Sequence, residues 1–74
     1  MLIELDYLGH HIEAYAAGLQ GAWDAVIRIR RTPSGEQVYF ERVAFGEASA
    51  DLAEQQALMW AKRWVGGKER SKKR

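Results

Sequence analysis

Residues 23 to 30, WDAVIRIR, alternate without a break. Trp23, Ala25, Ile27 and Ile29 share one parity; Asp24, Val26, Arg28 and Arg30 share the other. Successive side chains of a strand point to opposite faces, so the run reads as a strand with one apolar and one charged side. Further on the spacing changes. Ala53, Ala57, Trp60, Ala61 and Trp64 fall within one stripe when residues are placed about 100° apart, the helical period. A chain that switches once between these periods has one simple closure, an amphipathic helix laid on one side of a sheet.

The neighbouring segments extend the sheet. In HHIEAYAA, residues 10 to 17, Ile12, Ala14 and Ala16 alternate with His11, Glu13 and Tyr15. GLQG, residues 18 to 21, reads as a hairpin loop. Folding about Leu19 and Gln20 sets Ala16 beside Trp23, Ala14 beside Ala25 and Ile12 beside Ile27. TPSGE, residues 32 to 36, reads as a turn, because Pro33 presets φ and Gly35 supplies a left-handed position. QVYFERVAF, residues 37 to 45, follows as a third strand, with Val38 and Phe40 on the apolar face and Tyr39 and Glu41 toward the arginines. Two parity shifts need absorbing. Ile3, Leu5 and Tyr7 are odd where Ile12 is even, which predicts a bulge or bend at Gly9. Val38 and Phe40 are even where Val43 and Phe45 are odd, which predicts a twist or bulge near Arg42.

A helix is predicted from Ala50 to about Val65. Ser49 serves as its N-cap, Asp51 suits the first turn, and Lys62 and Arg63 suit the last. Gly66-Gly67 is expected to end it. The expected fold is α+β: an antiparallel three-stranded sheet, extended by a further strand at residues 2 to 8 or by a looser segment, with one C-terminal helix packed on one face. Residues 1–67 form one β-β-β-α domain and residues 68–74 a basic disordered tail.

At 74 residues the chain supports only a marginal core, burying about 60% of its unfolded surface. It has no cysteine, so disulfides and thiolate metal sites are excluded. Eight aromatics, three of them Trp, are the available reinforcement, and a homodimer is another. No apolar run approaches the roughly 18 residues of a membrane span, and MLIELDYLG lacks the basic start of a secretory signal. A soluble, cytoplasmic bacterial protein is expected. The overall charge of +1 hides an asymmetry. Residues 1 to 67 hold six basic and nine acidic groups, whereas KERSKKR, residues 68 to 74, holds five basic and one acidic.

No catalytic constellation emerges. His10 and His11 are adjacent on a strand and face opposite ways, and Glu13 beside His11 makes only two donors, so no metal site is expected. Ser34 sits in a turn, Ser49 at a cap and Ser71 in the tail. Glu4, Asp6, Glu13, Glu41, Asp51 and Glu54 fall on wet faces or at element ends. No glycine-rich phosphate loop is present. Neither an enzyme nor a cofactor is expected.

A binding module remains. One reading is nucleic-acid association through Arg28, Arg30, Arg31 and Tyr39 on the sheet and Lys68, Arg70, Lys72, Lys73 and Arg74 in the tail. The other is a protein-interaction or self-associating homodimer module using Leu52 and Met59 on one flank of the helix and Leu58 and Val65 on the other. Carboxylates interleave with the arginines on the free face, so cross-strand ion pairs also account for them.

The pattern W-x-A-x-I-x-I-R-R at 23–31, the glycine turn, Phe45 and A-x-x-x-A-x-x-W-A at 53–61 resemble the arm-type DNA-binding domain of tyrosine recombinase integrases. That resemblance implies a sheet entering the DNA major groove through Arg28, Arg30 and Tyr39. Glu13, Asp24 and Glu41 on the same face depart from it. The element order is also similar to HicB-type antitoxin domains. Y-L-G-H-H-I at 7–12, the later Trp and A-x-x-W-V at 61–65 are similar to short uncharacterised proteobacterial β-β-β-α proteins, a likeness that implies fold and not function.

Overall fold

The computed structural model describes residues 2–19 and 21–72, with side chains up to residue 68. Four strands precede one helix: β1 (Ile3–Tyr7), β2 (His10–Leu19), β3 (Ala22–Arg31), β4 (Gln37–Glu47) and α1 (Ala50–Lys72). The strands form one antiparallel sheet in the order β1-β2-β3-β4. The N-terminal segment is thus a full strand, and the fold is α+β with the helix on one side.

The first parity shift has a simpler cause than a bulge. Tyr7 pairs with His10, so only Leu8 and Gly9 connect β1 to β2. Both have positive φ, 47° and 73°. A two-residue hairpin of this kind pairs odd with even positions and reverses parity without disturbing the ladder. The β2–β3 hairpin differs from expectation by two residues. Leu19 pairs with Ala22, so Ala16 lies beside Ala25, Ala14 beside Ile27 and Ile12 beside Ile29. Gly21, at φ 82°, is the left-handed residue that places the turn one position later than Leu19-Gln20. A slip of two keeps every side chain on its face.

In β4 the slip is one residue, and it does change faces. Ile29 pairs with Tyr39 and Arg28 with Phe40, while Arg30 pairs with Gln37. The irregularity sits at the start of β4 rather than near Arg42. Tyr39 therefore faces the helix, and Phe40 lies on the free face. A second irregularity lies between Trp23–Glu47 and Ala25–Val43. There Gly46 adopts φ 64° and donates its N–H to Asp24 Oδ1 at 3.3 Å.

The core has two layers. Ile12, Ala14, Ala25, Ile27 and Ile29 of the sheet meet Ala53, Ala57, Ala61 and Val65 of the helix, all fully buried. Each buried isoleucine contributes roughly 1.5–3 kcal/mol. Beside this seam Trp60 and Trp64 pack against Tyr39, with ring centroids 4.9 and 5.5 Å apart. Ile3 and Tyr7 of β1 pack against this core, and Lys62 Nζ lies 5.8 Å from the centre of the Tyr7 ring. Trp23 is half-buried.

Ser49 caps the helix as expected: the Leu52 N–H donates to its hydroxyl at 3.2 Å and the Ala53 N–H to its carbonyl at 3.1 Å. Glu54 departs from its expected wet position and is only 5% exposed. β1 is short, so β2 runs past it, and the Ala16 N–H donates to Glu54 Oε2 at 3.3 Å. The helix does not stop at Gly66-Gly67 but continues to Lys72. Neither glycine takes the left-handed φ of a helix C-cap. Trp64 and Lys68 bridge them, with the Lys68 ammonium 5.2 Å from the indole centre. Among the described residues, no helix is long and apolar enough to cross a membrane.

Candidate functional site

The face of the sheet turned away from α1 is uncovered. The register arranges it in rows running across the strands. Asp6, His11 and Arg30 form one row; Glu4, Glu13, Arg28 and Phe40 form the next; Tyr15, Val26 and Arg42 form a third. Leu2 extends the third row, since it lines a shallow groove of about 240 Å³ with Glu13, Tyr15, Val26, Arg28 and Phe40. Leu2, Tyr15 and Phe40 are each exposed by more than two-fifths of their surface, 49%, 43% and 48%. The centre of the face is thus an apolar strip, and charges surround it.

Those charges are already partnered. Glu13 receives Arg28 Nη1 at 3.8 Å and Arg30 Nε at 4.0 Å. The Arg28 guanidinium also lies over the Phe40 ring, 5.2 Å from its centre. Arg42 grips Asp24 Oδ2 with Nε at 3.2 Å and Nη2 at 2.9 Å. With Gly46 on its other oxygen, Asp24 is held below the usual carboxylate range, first by the Arg42 hydrogen bond and then by the Gly46 N–H. His11 donates from Nδ1 to Asp6 at 2.7 Å and from Nε2 to Glu4 at 3.1 Å. Both ring nitrogens donate only in the imidazolium, so these two hydrogen bonds, Asp6's the larger, raise the His11 pKa above its ordinary value.

The register brings Glu4 to His11 and Glu13, so three donor atoms lie within 4.8 Å of one another. Sequence spacing pairs His11 with Glu13 alone; Glu4 joins only through the β1–β2 hairpin. A divalent cation there would compete with His11 for Glu4 and with Arg28 for Glu13. The group is an ion-pair network as it stands.

The residues expected to contact nucleic acid divide. Arg28 and Arg30 lie on the free face. Tyr39 does not: it sits under the helix, its hydroxyl donating to Glu41 Oε2 at 3.0 Å. Burial first, then Glu41, raises its pKa above 10.0. Glu41 follows Tyr39 to the helix side, opposite Ile27, so it does not pair with Arg28 or Arg30. Arg31 shares the parity of Ile27 and Ile29 and lies on the helix side, paired in register with His10. It lines a second cavity, about 210 Å³, with His10, Glu36, Gln37, Val38, Trp64 and Lys68. Its Nη1 lies 3.9 Å from Glu36, and its Nε is buried without a hydrogen-bond partner. His10 is buried and donates from Nδ1 to the Leu8 carbonyl at 2.9 Å, a structural role. Lys68 is described and exposed. The side chains of Arg70 and Lys72, and all of Lys73 and Arg74, lie outside the described residues.

The structure removes one residue from the helix-flank expectation. Val65 is fully buried core and is unavailable to a partner, while Leu58 packs against that core and is half-buried. Leu52 and Met59 are exposed, 48% and 49%. The aromatic that sequence reasoning missed is Phe40. Its signal was weak, because Tyr39-Phe40 reads equally well in either phase. No protein-family model matches the chain, and no curated protein or solved structure matches it either.

Proposed function

We propose that this protein is a non-enzymatic binding module that docks another protein surface on the open face of its sheet. The observation that carries this reading is the apolar strip of Leu2, Tyr15, Val26 and Phe40, bordered by charges that neutralise one another. An interface with an apolar centre, an aromatic anchor and a polar rim has this composition. The polar groups on the face are paired with each other, which favours a binding role over a catalytic one.

The competing reading is nucleic-acid association, and the excess of lysine and arginine in residues 68 to 74 favours it. The face itself supports it less. Arg28, Arg30 and Arg42 share it with Glu4, Asp6, Glu13 and Asp24, so it carries no surplus of positive charge. A phosphate-binding face needs that surplus. Tyr39, which the arm-type resemblance assigns to the groove-facing side, is under the helix.

Native purification of the full chain separates the two. A stoichiometric protein partner, lost on Phe40→Asp and retained on removal of residues 68–74, supports the proposal. Oligonucleotide binding that falls steeply with salt, disappears with residues 68–74 and ignores Phe40→Asp overturns it in favour of nucleic acid.

A further inference from the structure

We infer that the open face is built for a second copy of the same chain, stacked face to face about a two-fold axis that runs along the strands. This rests on the reading of that face as a protein-docking surface and identifies the partner. Charge is distributed unevenly across the sheet. The β1–β2 half carries Glu4, Asp6 and Glu13 around His11; the β3–β4 half carries Arg28, Arg30 and Arg42 with Asp24. One half is acidic on balance and the other basic, and the apolar row crosses between them.

Two ways of stacking identical sheets by a two-fold axis in their plane differ in outcome. An axis across the strands lays β1 on β1 and opposes like charges. An axis along the strands lays β1 of one copy over β4 of the other and β2 over β3. Acidic half then meets basic half twice, as an isologous contact demands. The same operation keeps the rows in step: Tyr15 of each copy comes over Val26 of its mate, Glu13 over Arg28, Leu2 over Arg42, and His11, held by Asp6, over Arg30. Phe40 comes over Glu4, where its ring also stays against its own Arg28. The aligned stacking angle of two twisted sheets, near −30°, accommodates the arrangement.

Size sets the expected strength. Four strands about 4.8 Å apart, with some eight residues each at about 3.3 Å, give a planar footprint of roughly 500 Å² per copy. A stable interface buries about 800 Å² per partner, so dissociation is expected in the micromolar range rather than the nanomolar.

Sedimentation velocity of the full chain over a micromolar dilution series tests this. The wild type is expected to pass from monomer to dimer. Phe40→Asp is expected to weaken the dimer by roughly thirtyfold or more, the loss of a buried anchor. Leu52→Glu and Met59→Glu on the helix are expected to leave it unchanged. The charge arrangement has its own test. Glu13→Arg, and separately Arg28→Glu, should each abolish self-association, because each sets like charges over one another twice, and mixing the two variants should restore a one-to-one heterodimer. Thermal melting confirms that each variant is folded; if either charge variant is not, Phe40→Asp against Met59→Glu decides alone. A monomer at every concentration overturns the inference, as does dissociation by Met59→Glu or a failure of folded charge variants to complement. A monomer that still loses a foreign protein partner on Phe40→Asp leaves the broader proposal standing.

Discussion

The two faces of this sheet come from the same strands yet are built on different physics. Toward the helix, Ile12, Ala14, Ala25, Ile27 and Ile29 are sealed by a layer of alanines. Away from it, the alternate residues of the same strands form a chequerboard of ion pairs around Tyr15, Val26 and Phe40. The first face takes its stability from close packing, where one methylene is felt. The second consists of pairs that are individually worth little in water. Stability is concentrated on one side and freedom to vary on the other, which is the division expected of a scaffold that presents a surface.

Substitutions at neighbouring positions of β3 measure that contrast. Ile27→Ala is expected to cost about 3 kcal/mol in denaturant unfolding, because it removes a fully buried side chain and leaves a cavity. Val26→Ala, one residue away, is expected to cost well under about 1 kcal/mol at concentrations low enough to keep the chain monomeric. Equal losses there would show that the open face is covered within one chain. The next effect is at Gly18, which holds φ 119°, and a Cβ there would stand 2.8 Å from the Ala22 carbonyl oxygen. Gly18→Ala is expected to destabilise by about 1–3 kcal/mol in the same assay. Glu54→Ala leaves the Ala16 N–H without its carboxylate and is expected to cost about 1–3 kcal/mol. Glu54→Gln, which keeps an acceptor, should recover part of that loss.

The smallest effects are electrostatic and confined to the open face. His11 has a raised folded-state pKa, so its contribution to stability is complete below about 6.5 and is lost as pH rises through the folded value. Asp24 has a lowered one, so its contribution is present above about 3.8 and is lost as pH falls through the folded value. NMR titration of the His11 ring should therefore show an upward shift that shrinks toward the ordinary value in Asp6→Asn. An unchanged midpoint in that variant would mean that the Asp6 contact is not formed in solution.

The chain displays its packing pattern more plainly than its register. Alternation in β2 and β3, the Ser49 cap and the alanine-tryptophan stripe are local properties, and each maps onto the structure. What was illegible depended on single backbone choices. Leu8 adopts a left-handed φ of 47°, a conformation nothing about leucine advertises, and that choice converts an apparent bulge into a tight hairpin. Tyr39 and Phe40 are both aromatic and adjacent, so one extra residue opposite Arg30 decides which of them is buried. The free face followed correctly for Asp24, Arg28 and Arg30. It failed for Tyr39 and Glu41 because an irregular ladder at that end of the sheet moved them to the helix side, whereas Arg31 has the parity of Ile27 and Ile29 and lies there by alternation alone. Gly66-Gly67 shows the limit of punctuation by composition. Two glycines cost helix propensity, about 1 kcal/mol each, but do not end a helix that still has Trp64 and Lys68 in contact across them.

The meander also bears on how the chain finds its shape. β1 pairs only with β2, β2 with β3 and β3 with β4, through short connections, and the helix then closes over what has formed. The strand pairings join chain neighbours, but the helix packs on β2 from far along the chain, as the Ala16–Glu54 hydrogen bond across 38 positions shows, so a rate between those of helical bundles and all-β domains is expected. The isoleucines of β2 and β3 stay uncovered until α1, the last element to be made, closes over them, and that is the interval in which they could stick to something else.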